Sequence, residues 1–411
     1  MRRDFKPIPE PFRRAGAGGS LSVILLVLAL LATPALADEI HLKEGSSDHL
    51  MEVEVRSVTY KKVFYVRPPM EQEQDEDMED VSEIVFTVKP PDYESAEAYY
   101  AKGNYTQAAS AFKRATKDPT RNGWVDQYCL FYIARCQLAL GASGKASEAY
   151  QELLTKFSDT IHLAAAHLAL AEIHLAGGRI EEARGVLKTL VDKVKKDNLK
   201  KEWGFQANLS LCQIDETQAQ AAKDAGKLDK AGQAYKKLSE ETRSASKEIH
   251  YKARLGFARC ALADAAKRAA AREACDGLVK SLENEDTEIK RIQRTQDAEY
   301  RIRSEGSGTW LETEGESYYF DTAVLAGAYN GLAVCLFDEK QYKPALRAAL
   351  RVVVLYPHAA VEMPQALYYA ACSFDLLAND ANGWKDRSRA MQDRLRAEFG
   401  DTEWARMPLK R

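Results

Sequence analysis

Residues 329–357 read YNGLAVCLFDEKQYKPALRAALRVVVLYP. Apolar residues recur at Tyr329, Leu332, Ala333 and Leu336, then at Tyr342, Ala345, Ala349 and Val352, before Pro357 ends the run. Steps of three and four residues place each set on one face of a helix. Proline ends a helical run because it lacks an N–H and clashes with the preceding turn. The stretch therefore reads as two short helices joined by a turn. Neither helix can bury its apolar face alone, so the hairpin needs neighbours of its own kind.

Those neighbours are present. Residues 167–190, HLALAEIHLAGGRIEEARGVLKTL, repeat the register with His167, Leu170, Ala171 and His174, then Ile180, Ala183, Leu187 and Leu190. The second-helix half returns at Tyr105, Ala108 and Phe112, and again at Leu228, Ala231 and Tyr235. Looser copies run from Tyr128 to Phe157, Trp203 to Leu238, Tyr251 to Leu282 and Pro364 to Phe399. Large-x2-large-small-x2-large, a turn, then Ala-x3-large resembles the tetratricopeptide repeat. The resemblance implies a mostly α chain, a superhelix of about seven helix pairs over residues 91–407. The turn at Thr402–Arg406 is expected to cap it. An insertion near 284–317 interrupts the register and is expected to be an overlong helix and a solvated loop, the alternative being a partner-binding arm or short hairpin.

In tetratricopeptide proteins the first helix of each pair lines a concave side that binds extended peptides or helices. Carried over here, that role falls to Phe131, Arg135, Leu168, Glu172, Leu255, Arg259, Asn330 and Leu367, expected to lie off the core-packing faces. The joints Phe157-Ser158-Asp159-Thr160 and Phe399-Gly400-Asp401-Thr402 are similar to those of bacterial envelope tetratricopeptide proteins.

The segment ahead of the repeats differs. Residues 1–37 combine a basic leader, an apolar run from Leu21 to Ala32 and Ala35-Leu36-Ala37, the three parts of a signal peptide. Cleavage is expected after Ala37, which implies an exported, periplasmic protein. Residues 38–90 alternate Val, Ile, Tyr and Phe with polar residues, a strand pattern predicting a small sheet. The acidic run EQEQDEDMED at 71–80 interrupts it as an expected solvated loop; it lacks the bend glycine of a calcium loop.

Reactive chemistry is not assembled. Five of the seven cysteines (Cys136, Cys212, Cys260, Cys335 and Cys372) follow a small residue by two positions, one per repeat. That regularity marks a packing slot, where cysteine serves as a small hydrophobe. His162, His167 and His174 are spaced five and seven apart, not the four that pairs helix-borne metal ligands. The net charge of −3, with both signs dispersed, excludes the clustered basic surface of a nucleic-acid binder. The reading is a non-enzymatic protein–protein interaction scaffold of the cell envelope, with no catalytic residues, metal or cofactor and a protein or peptide partner. The alternative is a membrane-anchored accessory subunit with the N-terminal segment uncleaved, which would be its membrane contact.

Overall fold

The computed structural model describes residues 37–43, 50–295, 300–313, 315–379 and 383–410. The expected leader therefore lies outside the described residues, apart from Ala37. The chain divides into two units, the first ending at Val186 and the second beginning at Leu187.

The first unit opens with β1 (Asp38–Leu42), β2 (Leu50–Val58), β3 (Lys62–Val66), β4 (Glu73–Asp77) and β5 (Val81–Val85). They form one antiparallel sheet in the order β4-β3-β2-β1-β5. Alternation sends Val53 and Val55 inward, and a bulge between Val55 and Ser57 resets the phase so that Val58 also points in. The acidic run expected as a loop is a correction: Glu73–Asp77 is an edge strand. Its register against β3 places Asp75 opposite Phe64, and Lys62 reaches across to Asp75 at 2.5 Å. Charges on an edge strand keep other chains from pairing with it.

Helices follow as α1 (Pro91–Ala101), α2 (Tyr105–Ala115), α3 (Gly123–Ala139), α4 (Ser143–Lys156) and α5 (Leu163–Ala176), with α6 (Ile180–Lys196) spanning the division. The sheet's inner face and these helices share one core. Ile40, Val53, Val55 and Val63 meet Tyr93, Phe112 and Trp124, and Phe86 stacks on Trp124 at 3.8 Å. Burying each such side chain contributes about 1.5–3 kcal/mol. Gln127 pins helix to sheet by donating to the Val58 carbonyl at 2.6 Å.

The second unit contains α7 (Lys201–Ala221), α8 (Ala225–Thr242), α9 (Lys247–Leu262) and α10 (Arg268–Arg294). There follow β6 (Arg301–Glu305), β7 (Gly308–Thr313) and β8 (Glu316–Asp321), then α11 (Thr322–Asp338), α12 (Tyr342–Leu355), α13 (Met363–Leu377), α14 (Trp384–Phe399) and α15 (Glu403–Arg406). Helix starts are written in side chains: Asp224 accepts from Lys227 N, and Asp321 accepts from Ala323 N and Val324 N. Turns after first helices need a left-handed residue. Gly103, Gly141 and Gly178 supply it, while Lys223 (φ 51°) and Lys340 (φ 63°) hold the same slot without glycine.

The insertion departs from expectation. Its helical part is present, since α10 runs 27 residues. The expected solvated loop is instead a three-stranded meander, β6-β7-β8, whose Leu311 and Tyr319 are buried. Glu285 on α10 anchors it by accepting from Tyr319 N at 3.1 Å. Next to it, α11 is buried from Val324 to Cys335. Gly331 lets α10 approach that helix; a β-carbon there would lie 2.4 Å from the Cys275 sulfur.

Candidate functional site: two helix faces

On the first unit, α3 and α5 present four of the expected residues. Phe131 is half-buried and stacks on His162, ring centroids 4.0 Å apart and 3° from parallel. One helical turn on, Arg135 is exposed. Its guanidinium lies 5.6 Å from the Tyr100 ring, 5.7 Å from Phe131 and 6.0 Å from Tyr132. No carboxylate among the described residues pairs with it. Ring faces attract a cation without neutralising it, so the guanidinium is positioned yet keeps its donors for a ligand.

On α5, Leu168 is half-buried and Glu172 is exposed at the rim. Desolvation raises the Glu172 carboxyl above the usual carboxylate range. Tyr150 registers both charges: burial pushes its hydroxyl up to about 12, with Arg135 opposing and Glu172 adding to the shift. Burial first, then the Arg135 charge, pulls His162 down to about 4, so its imidazole is neutral at ordinary pH.

The second unit gives a different result for the other four residues. Leu255, Asn330 and Leu367 are 6%, 1% and 0% exposed, so they are not available to a partner. The reason is that first helices here lie directly against one another. Leu255 of α9 fills the space over Gly327 of α11, where a β-carbon would come within 2.8 Å. Asn330 donates to the carbonyl and the carboxylate of Glu362, both at 2.8 Å. Arg259 is committed as well: its Nε and Nη2 both donate to Glu216 at 2.8 Å, and Tyr235 donates to the same carboxylate. The expected binding residues of this unit are thus structural.

Sequence reasoning missed Tyr100, Tyr132 and His162. Tyr132 stands three residues before Arg135, a same-face spacing that was readable. Tyr100 and His162 come from neighbouring hairpins, which spacing along one helix does not reveal.

All seven cysteines are buried free thiols. Burial raises Cys136 to about 11 and Cys260 to about 12, so both remain protonated at neutral pH. Among the described residues, no three His, Cys, Asp or Glu side chains gather as a metal site requires. Among the same residues, no helix is long and apolar enough to cross a membrane.

Stacked helical hairpins that display side chains from their first helices define a helical-repeat protein. The sequence model of the tetratricopeptide repeat matches residues 93–161 and 146–198. Residues 93–198 thus match the tetratricopeptide repeat, a fold that generally serves protein–protein interaction. A comparison with curated protein sequences finds no match. Among solved structures, the tetratricopeptide sensor-bearing signal transduction ATPase of Pyrococcus horikoshii is 12% identical, with a TM-score of 0.51. That match covers 77% of this chain and 43% of the other, so the chain spans less than half of that protein, and the likeness is one of fold. A tetratricopeptide repeat protein of Parabacteroides merdae is 14% identical over 73% of this chain and 97% of its own, with a TM-score of 0.43. The C-terminal part of one from Cytophaga hutchinsonii is 14% identical over 78% and 100%, with a TM-score of 0.41.

Proposed function

We propose that the protein is an exported scaffold whose first unit binds an extended segment of a protein partner across α3 and α5. Arg135 carries the reading: an exposed guanidinium, seated over three aromatic rings and without an ion-pair partner among the described residues, suits an acidic group on the partner. Leu168 adds apolar contact beside it, and Glu172 offers a carboxyl to a donor. Charge-assisted hydrogen bonds to arginine are among the stronger recognition contacts, at about 1.5–3 kcal/mol each.

Arg135→Glu tests the proposal. The residue is exposed, so the variant is expected to melt with the wild type. Its partner, captured by crosslinking in the cell through a C-terminal tag, is expected to fall about tenfold or more. Equal capture of the same partners by both proteins defeats the assignment of this face. Export rests on the leader sequence, and N-terminal sequencing of the mature protein is expected to start at Asp38. A start at Met1 favours the anchored alternative instead.

A further inference from the structure

From Gln341 to Val361 the chain carries Lys343, Arg347 and Arg351 and not one carboxylate. The cations are four residues apart, which aligns them as a stripe on α12. Val354 and Leu355 follow Arg351 at the end of α12, and Val361 stands in the loop after it; they are exposed by 68%, 59% and 88%. These are the three most exposed large apolar side chains among the described residues. Single exposed apolar residues are ordinary, whereas a cluster bordered by like charges marks an interaction surface.

The surface is a shallow, open groove. It measures about 510 Å³ and runs between α11 and α12, with Leu350, Val354 and Leu355 along it, the buried Tyr329 and Leu332 beneath, and Arg347 at its rim. The nearby carboxylates are already used. Glu283 of α10 pairs with Arg351 at 3.0 Å, and Asp286 pairs with Lys290 at 2.6 Å. Lys343 and Arg347 have no ion-pair partner among the described residues. An apolar groove with unneutralised cations on one side lacks its complement.

We propose that this groove is a second docking surface, which takes an acidic amphipathic helix of a protein partner. The helix's apolar side chains fill the groove, and its carboxylates meet Lys343 and Arg347. The groove favours a helix over a planar anionic bilayer, since a flat surface would touch Val354 and Leu355 and leave the half-buried Leu350 uncovered. The surface is separate from the Arg135 face and stands without it.

The test is fluorescence anisotropy with the full chain and a labelled 18-residue peptide bearing leucine on one helical face and glutamate on the other. Controls are the same peptide with lysine for glutamate, and sedimentation with phosphatidylglycerol vesicles. Saturable, salt-weakened binding of the glutamate peptide is expected. Arg347→Glu, and separately Val354→Asp with Leu355→Asp, are expected to weaken it tenfold or more, while Arg135→Glu leaves it unchanged. Arg347, Val354 and Leu355 are all exposed, so the variants are expected to keep the wild-type melting curve. The proposal is overturned if the glutamate peptide fails to bind, if the lysine peptide binds as well, or if Arg347→Glu has no effect. It is also overturned if Arg135→Glu abolishes binding, or if the chain sediments with vesicles through Arg347 and ignores the peptide.

Discussion

Glu216 is a carboxylate held at 5% exposure, and Arg259 is the group that makes this tolerable. Two parallel bonds of 2.8 Å from the guanidinium and a third from Tyr235 replace the water it has lost. Removing one partner of such a pair leaves a charge buried without compensation. Arg259→Met is expected to destabilise the protein by about 3–5 kcal/mol, read as a shift in the urea midpoint. Replacing Glu216 by Leu in the same variant is expected to recover much of that loss. A double variant no more stable than the single one would show that the pair is not the cause. The sequence marks Arg259 only as a polar residue one step off the packing stripe. Its partner lies 43 residues away on another hairpin, and only the stacking reveals it.

Elements were legible to different degrees, for reasons that lie in their patterns. Each hairpin was visible because its spacing recurs, so a weak copy borrows support from a strong one. The meander β6-β7-β8 occurs once and had no such support. Its outer strand β6 is exposed at every position, which removes the alternation that announces a strand. The edge strand β4 was hidden by its charges for a similar reason. What holds the meander in place is concentrated on Glu285, which binds Lys247 at 2.7 Å, Tyr251 at 3.0 Å and Tyr319 N at 3.1 Å. Glu285→Ala is expected to let β8 open locally and to speed protease cleavage within residues 300–316 by about tenfold, equivalent to roughly 1.4 kcal/mol of local opening. Fragment mapping by mass spectrometry reads the outcome; unchanged cleavage means that Leu311 and Tyr319 hold the meander without the carboxylate.

For the molecule as a whole, the repeat class was readable and the working surface only half so. Which side of a first helix stays open depends on how closely the next one approaches. That distance is set by residues such as Gly327, far away in sequence. One global property follows from His162. Above pH 6.5 the ring is neutral in both folded and unfolded chains, so it contributes nothing. As pH falls toward about 4, the unfolded chain takes up a proton that the buried ring refuses. Stability is therefore expected to decline across that window by up to about 3 kcal/mol. His162→Phe, which retains an aromatic ring against Phe131, is expected to flatten the decline; an identical slope in both proteins would exclude the imidazole as its source.

The recurring thiol slot has a practical consequence. Cys136, Cys212, Cys260, Cys335 and Cys372 each sit in a different hairpin, all enclosed. A reagent reaches any one of them only when its own hairpin breathes. The wild-type chain thus carries a row of stopwatches, and mass spectrometry of timed alkylation would rank the hairpins by how often each opens, with no engineered probe.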